Sequence, residues 1–232
     1  MAAPRFSAAP TRGFTLIELL VAISIMALMA ILGWRGLDGM SRAQVATQAR
    51  ADEVLTLQAG LGQWSADLDA LVQIPQTQSL DWDGRALRIT RRSSQPNDPG
   101  PLVVAWTRRA TGGGSGVWLR WQSPPLVNRG DWQQACARAG AWAQNPGDAE
   151  RRDEVSILAL DGWQLFYFRS NAWTNPLSSG DSATGAAGAG AAAGAATLPD
   201  GVRLVLDMPA GHALTGRITH DWVRPTVGGG KS

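Results

Sequence analysis

The chain has 232 residues, 44% of them hydrophobic and 17% charged, and its 21 basic and 19 acidic side chains leave a formal charge of +2. That length accommodates one membrane anchor and one domain with a real core, and so small a charge excess gives no support for nucleic-acid binding. Its single cysteine, Cys136, cannot form an intramolecular disulfide; a buried, unreactive thiol is expected, an intermolecular bridge or redox sensor being the alternative.

Residues 1–13 contain Arg5 and Arg12 and no acid, so their removal would bring the formal charge to zero. Residues 14–34 then form an apolar run of membrane-spanning length with one carboxylate, Glu18. An ionised carboxylate in hydrocarbon costs about 2.5–3.5 kcal/mol on insertion scales, so a partner for it is expected. A cut between Gly13 and Phe14 would supply one, because the new ammonium could neutralise the Glu18 of a staggered neighbouring helix. An ordinary secretory signal or uncleaved anchor would also carry Arg5 and Arg12 before the apolar run. A signal, however, places small residues at a cleavage site after that run, whereas here it continues through Gly33, Trp34 and Arg35 into helix-like sequence.

Trp34, Leu37, Val45, Ala49, Val54, Leu57, Leu61, Trp64, Leu68 and Leu71 recur by threes and fours, predicting an amphipathic continuation of the helix over residues 35–74. Leu57, Leu61, Trp64 and Leu68 are its expected packing residues. Arg35, Asp38, Arg42, Arg50, Asp52, Glu53 and Asp67 form the expected polar face. Gly33, Gly36, Gly39, Gly60 and Gly62 each weaken helix propensity, and Gly33 or Gly36 could permit a bend.

From residue 80 the period changes to two, and strands are predicted at residues 86–92, 102–108, 116–122, 155–160, 163–169, 202–208 and 216–222. Asp81 and Asp83 flank Trp82 before Gly84, a turn pattern for which a loop calcium site is the alternative. The Gly112-Gly113-Gly114 run reads as a hairpin loop, since no helix start follows that a phosphate cradle would need. Residues 132–142 predict a short helix or irregular turn before Asn145-Pro146-Gly147. Asp161-Gly162 joins two apolar runs and predicts a hairpin pairing residues 155–160 with 163–169. Residues 178–197 are nearly all Ser, Ala, Gly and Thr and are expected as a flexible loop.

Most of the eleven tryptophans fall on strands or on the helical seam and are expected in core and sheet packing, Trp118 and Trp121 on opposite faces of one strand; interface anchoring is the alternative, with Trp173 and Trp222, near loops, as its candidate contact residues. His212 and His220 have no cysteine or carboxylate cluster at metal-ligand spacing. No catalytic, metal or cofactor site is expected.

The basic leader ending in Gly13, followed by Phe14-Thr15-Leu16-Ile17-Glu18, resembles the leader and first helix of type IV prepilins and type II secretion pseudopilins. The resemblance implies that a prepilin peptidase cuts after Gly13 and methylates the Phe14 amine, and that Glu18 takes part in subunit recruitment. It implies an α+β, pilin-like fold: a leader at 1–13, a transmembrane half-helix at 14–34, an amphipathic half at 35–74, and a β-rich periplasmic domain at 75–232. Residues 57–68, Val117-Trp118-Leu119-Arg120-Trp121 and Leu198-Pro199-Asp200-Gly201-Val202-Arg203-Leu204 look like J-type minor pseudopilins; the Ala/Gly insert and the Pro/Trp-rich middle depart from that pattern. The implied partners are I-type and K-type minor pseudopilins, sometimes an H-type, the peptidase, the inner-membrane secretion platform and inner-membrane lipid. The implied role is to prime a pseudopilus at its tip, in the inner membrane, with a cytoplasmic ATPase supplying the work. Two other classes share some of these features: a minor pilin of a type IV pilus, and a membrane-anchored periplasmic binding or enzymatic domain.

Overall fold

The computed structural model describes residues 13–94, 100–111, 114–178 and 198–225. Its architecture is α+β and pilin-like, with a long N-terminal helix, α1 (Leu16–Asp69), followed by antiparallel β-sheets. Two compact units divide the chain, Met1–Ala49 and Arg50–Ser232.

In the second unit, β1 (Leu80–Trp82), β2 (Ala86–Arg92), β3 (Pro101–Ala110), β4 (Gly116–Gln122) and β5 (Val155–Leu160) form a five-stranded sheet in that order. Between β4 and β5 lie α2 (Arg129–Gln144) and α3 (Asp148–Arg152). The second sheet has the order β7-β6-β8-β9, built from β6 (Gly162–Arg169), β7 (Ala172–Thr174), β8 (Gly201–Met208) and β9 (Gly216–Val223). The seven predicted strands coincide with β2, β3, β4, β5, β6, β8 and β9 or extend by one or two residues. Left out of that reading were β1 and β7, three residues each and too short for an alternating pattern, and the five-residue α3.

The central core packs Leu57, Trp64 and Leu68 of α1 against Leu87, Ile89, Val104, Trp106 and Trp118 of the first sheet and Leu165, Val202, Leu204 and Leu206 of the second. Trp64 lies with its ring centroid 5.4 Å from Trp106 and 6.1 Å from Trp118, and those two are 4.6 Å apart. On the other face of the first sheet, Val103, Ala105, Leu119 and Trp121 pack against Ala135, Ala139 and Trp142 of α2. Trp118 and Trp121 therefore do serve opposite faces of β4. Asn128 caps α2 by accepting the Asp131 N–H at 3.0 Å, and the Asp131 carboxylate accepts the Asn128 N–H in return.

Four expectations need correction. Asp67 does not belong to a solvated face: it is fully buried. The helix ends at Asp69 rather than near residue 74, because the backbone changes partner there; Arg92 N–H donates to Ala70 O, and Val72 N–H to Thr90 O. Trp222 is not a surface contact but is buried, its indole N–H donating to Asp69 Oδ1 at 2.8 Å.

The fourth concerns Asp161-Gly162, which makes no hairpin. β5 and β6 lie in different sheets, and neither residue takes the positive φ of a type I′ turn. Asp161 N–H instead donates to Asp207 O of β8, so the chain crosses between sheets at this point. The two-residue hairpin is Ser170-Asn171, with φ of 50° and 63°, joining β6 to β7.

Gly60 is buried rather than exposed, and the reason is a close approach. The register of β5 shifts between Trp118 and Leu119, leaving Ile157 as the extra residue of a bulge. A Cβ at position 60 would stand 2.6 Å from Ile157 Cγ2 and 3.1 Å from the Trp118 ring. Only glycine lets α1 settle this close to the sheet.

Candidate functional site

Gly13, Phe14 and Thr15 precede the first turn of α1. A Cβ placed on Gly13 would meet nothing within 4 Å, and Phe14 is 80% exposed. Thr15 is the N-cap: its carbonyl accepts the Leu19 N–H at 3.3 Å, and its hydroxyl accepts the Glu18 N–H at 3.4 Å. Glu18 closes a capping box, its Oε2 accepting the Thr15 N–H at 3.1 Å and the Thr15 hydroxyl at 2.8 Å. The carboxylate therefore stands at the positive end of the helix dipole with one oxygen engaged by its own chain. The Thr-x-x-Glu spacing carries this signal in the sequence, where Glu18 reads only as a charge in apolar surroundings.

Behind Glu18 the helix surface is apolar and uncovered. The large hydrophobic side chains from Leu16 to Val45 are between 48% and 80% exposed, and the helix is long and apolar enough to cross a membrane. Ser24, in the middle of this stretch, donates its hydroxyl to Leu20 O at 2.8 Å, which lowers the cost of placing it among hydrocarbon chains.

In the second unit, Leu57, Trp64 and Leu68 are buried in the central cluster and Leu61 packs against it. Sequence patterning missed the group beside them. Asp67 Oδ1 accepts Arg91 Nη1 at 2.5 Å, Arg120 Nη2 at 2.9 Å and Gln63 Nε2 at 2.9 Å; Oδ2 accepts Arg120 Nε at 2.8 Å and Trp106 Nε1 at 2.9 Å. This carboxylate fastens the helix to β2, β3 and β4 at one point. Periodicity gives no warning of it, since an acid at a seam position is read as polar surface.

Asp81 and Asp83 make the turn rather than a cation cage. Arg88 pairs with both, through Nε to Asp81 at 2.8 Å and Nη1 to Asp83 at 2.8 Å. Asp83 Oδ1 also accepts the Arg85 and Ala86 N–H groups, and Gly84 takes a φ of 86°. Burial pushes the Asp83 carboxyl up, but the Ala86 and Arg85 N–H groups and Arg88 outweigh it and hold the group below the usual range. His220 Nε2 lies 2.9 Å from Ser65 Oγ, and His212 Nδ1 lies 3.3 Å from Glu53 Oε1, so both histidines face α1. Trp173 is half-buried against Phe168, with the Arg203 guanidinium 4.2 Å above its ring.

Cys136 is partly buried beside α2's apolar face, and burial pushes its thiol up to about 11. Gly112 and Gly113 lie outside the described residues; Thr111 N–H donates to Ser115 O across that β3–β4 loop. Residues 1–12 and 179–197 also lie outside them.

A helix of this length, apolar at its start and packed on antiparallel sheets at its end, defines a pilin-like architecture. Residues 9–34 match the family described as the prokaryotic N-terminal methylation motif. That match covers Gly13, Phe14, Thr15 and Glu18, and it supports a pilin-like protein of the type II or type IV systems with an N-terminal membrane anchor ahead of a globular domain.

Proposed function

We propose that this protein is a minor pseudopilin of J type, acting by assembly rather than catalysis at the tip of a type II secretion pseudopilus. One observation carries the reading: a methylation motif covers the start of a helix whose apolar run to residue 34 is uncovered and holds one acid, at its first turn. Cleavage after Gly13 places an ammonium on Phe14. Glu18 Oε2 is held by Thr15, and its Oε1 is the oxygen that meets the Phe14 ammonium of a neighbouring subunit in the bilayer. Uncovered apolar side chains then pack on lipid and on other subunits' helices. A repeated, non-closing contact of this kind builds a helical filament, and a subunit with a different upper surface ends it.

Support for the J type comes from residues 57–68, 117–121 and 198–204, which supply α1's buried seam, the two-faced strand β4 and the entry into β8. On this reading the partners are I-type and K-type minor pseudopilins, sometimes an H-type, processed by the same peptidase and assembled on the inner-membrane platform. The domain then lies in the periplasm. The match at residues 9–34 serves a minor pilin of a type IV pilus equally well.

Three measurements test this. Mass spectrometry of membrane-extracted protein should show an N-methylated Phe14 terminus, and Gly13→Val should abolish it; an intact Met1 terminus on active protein would remove the basis of the proposal. Stable complexes of the full chain with I-type and K-type partners, and loss of enzyme export without loss of pili on deletion, would separate the secretion role from the pilus role.

A further inference from the structure

Ten of the eleven tryptophans are buried or half-buried in the unit Arg50–Ser232; Trp34 alone is exposed, at 75%, and among the described residues no ring packs on it. It stands where the apolar run of α1 stops. No side chain from Leu19 to Trp34 is charged, and the next residue is Arg35, also exposed and without an ion-pair or hydrogen-bond partner among the described residues. Further on, Asp38 and Arg42 neutralise one another at 2.5 Å. Arg35 is thus the first charge after Glu18, and its own chain leaves it unanswered. At the usual rise of an α-helix Leu16 lies about 27 Å from Trp34, and Glu18 about 24 Å. The hydrocarbon core of a bilayer is about 30 Å thick.

We propose that Trp34 and Arg35 are an interfacial anchor that fixes the depth of α1 in the bilayer, with the indole ring among the lipid head groups and the guanidinium on lipid phosphate. An indole joins an apolar body to one polar N–H and favours this level. A guanidinium presents a planar fork of donors that matches phosphate. Lipid is the partner because both groups close a run long and apolar enough to cross a membrane. The inference rests on the membrane-anchor reading and adds to it what sets the position of Glu18. With Trp34 held at one boundary, the Glu18 carboxylate lies about 6 Å inside the other, within reach of an ammonium at that boundary.

The test uses the full chain in phosphatidylcholine vesicles. Flotation reports membrane insertion itself, and the emission difference between wild type and Trp34→Phe isolates this ring from the other ten. A nitroxide on the lipid head group should quench that difference at least about threefold more than bromine at mid-chain. Arg35→Leu should let the ring sink and reverse the order, whereas Arg35→Lys should keep it. All three substitutions are at exposed positions and should leave the melting temperature of the domain unchanged. Stronger mid-chain quenching in the wild type, or an unchanged order in Arg35→Leu, would overturn the anchor and leave the membrane reading standing. Quenching by neither probe would place another protein chain over the ring and overturn it too. A chain that does not float would overturn both readings.

Discussion

At the scale of single residues, Asp67 ties α1 to three strands of the first sheet. It is fully buried and accepts from Arg91, Arg120, Trp106 and Gln63, and both arginine side chains are nearly buried with it. Removing the carboxylate charge leaves two guanidinium groups in the core without an anion, a change that costs about 3–5 kcal/mol when one partner of a buried pair is lost. We therefore expect Asp67→Asn to lower the unfolding free energy of the domain by that amount, read in urea titration as an earlier midpoint, and an unchanged midpoint would show the cluster to be dispensable. Cys136 makes the opposite kind of prediction. With its thiol at about 11, the reactive thiolate is about a hundredfold scarcer at neutral pH than for an exposed cysteine. Alkylation by iodoacetamide should be correspondingly slow in the native protein, accelerate as pH rises toward 11, and reach the ordinary rate in denaturant.

At the scale of elements, the contact of α1 with β4 and β5 depends on one missing side chain. Gly60→Val would drive a branched side chain into Ile157 and Trp118, and overpacking of this kind costs about 1–3 kcal/mol. Gly62, two residues on, meets nothing within 4 Å, so Gly62→Ala should stabilise the same helix by about 0.5–1 kcal/mol. Thermal melts of the two variants should move in opposite directions, and a shift of the same sign in both would refute the close-approach account. Much of this element structure is legible in the chain itself. Strands with one face on each core, such as β4 with Trp118 and Trp121, announce themselves through alternation. Asp161-Gly162 misleads because turn chemistry is a local preference, and hydrogen bonding to Asp207 in the other sheet overrides it. Asp67 misleads for a related reason: polarity predicts exposure only where no arginine waits across the interface. Gly13, Phe14 and Glu18 are legible as a motif, and the capping role of Thr15 is written beside them in the Thr-x-x-Glu spacing.

At the scale of the whole domain, several carboxylates are held below their ordinary range. The Arg203 hydrogen bond lowers Asp221, the Ala213 N–H lowers Glu53, and Asp83 is lowered despite its burial. Each folded value lies below the unfolded one, so each contribution is present above the unfolded carboxyl range and is lost as pH falls through the folded value. Stability should therefore hold across neutral pH and decline below about pH 4, and melting curves recorded from pH 7 to pH 2 check this directly. These three groups tie β8 to β9, the β8–β9 loop to α1, and the β1–β2 turn to itself, so acid should loosen the second sheet and its loop before the tryptophan core.

The ring cluster around Trp64 gives the protein an optical signature of its own. Three indoles with centroids 4.6 to 6.1 Å apart couple their transitions, and one of the three belongs to the helix while the other two belong to the sheet. Lifting the helix even a few ångströms would remove the two couplings to Trp64 and leave the Trp106–Trp118 pair, so the change in near-ultraviolet dichroism can serve as an intrinsic gauge of docking without any attached dye.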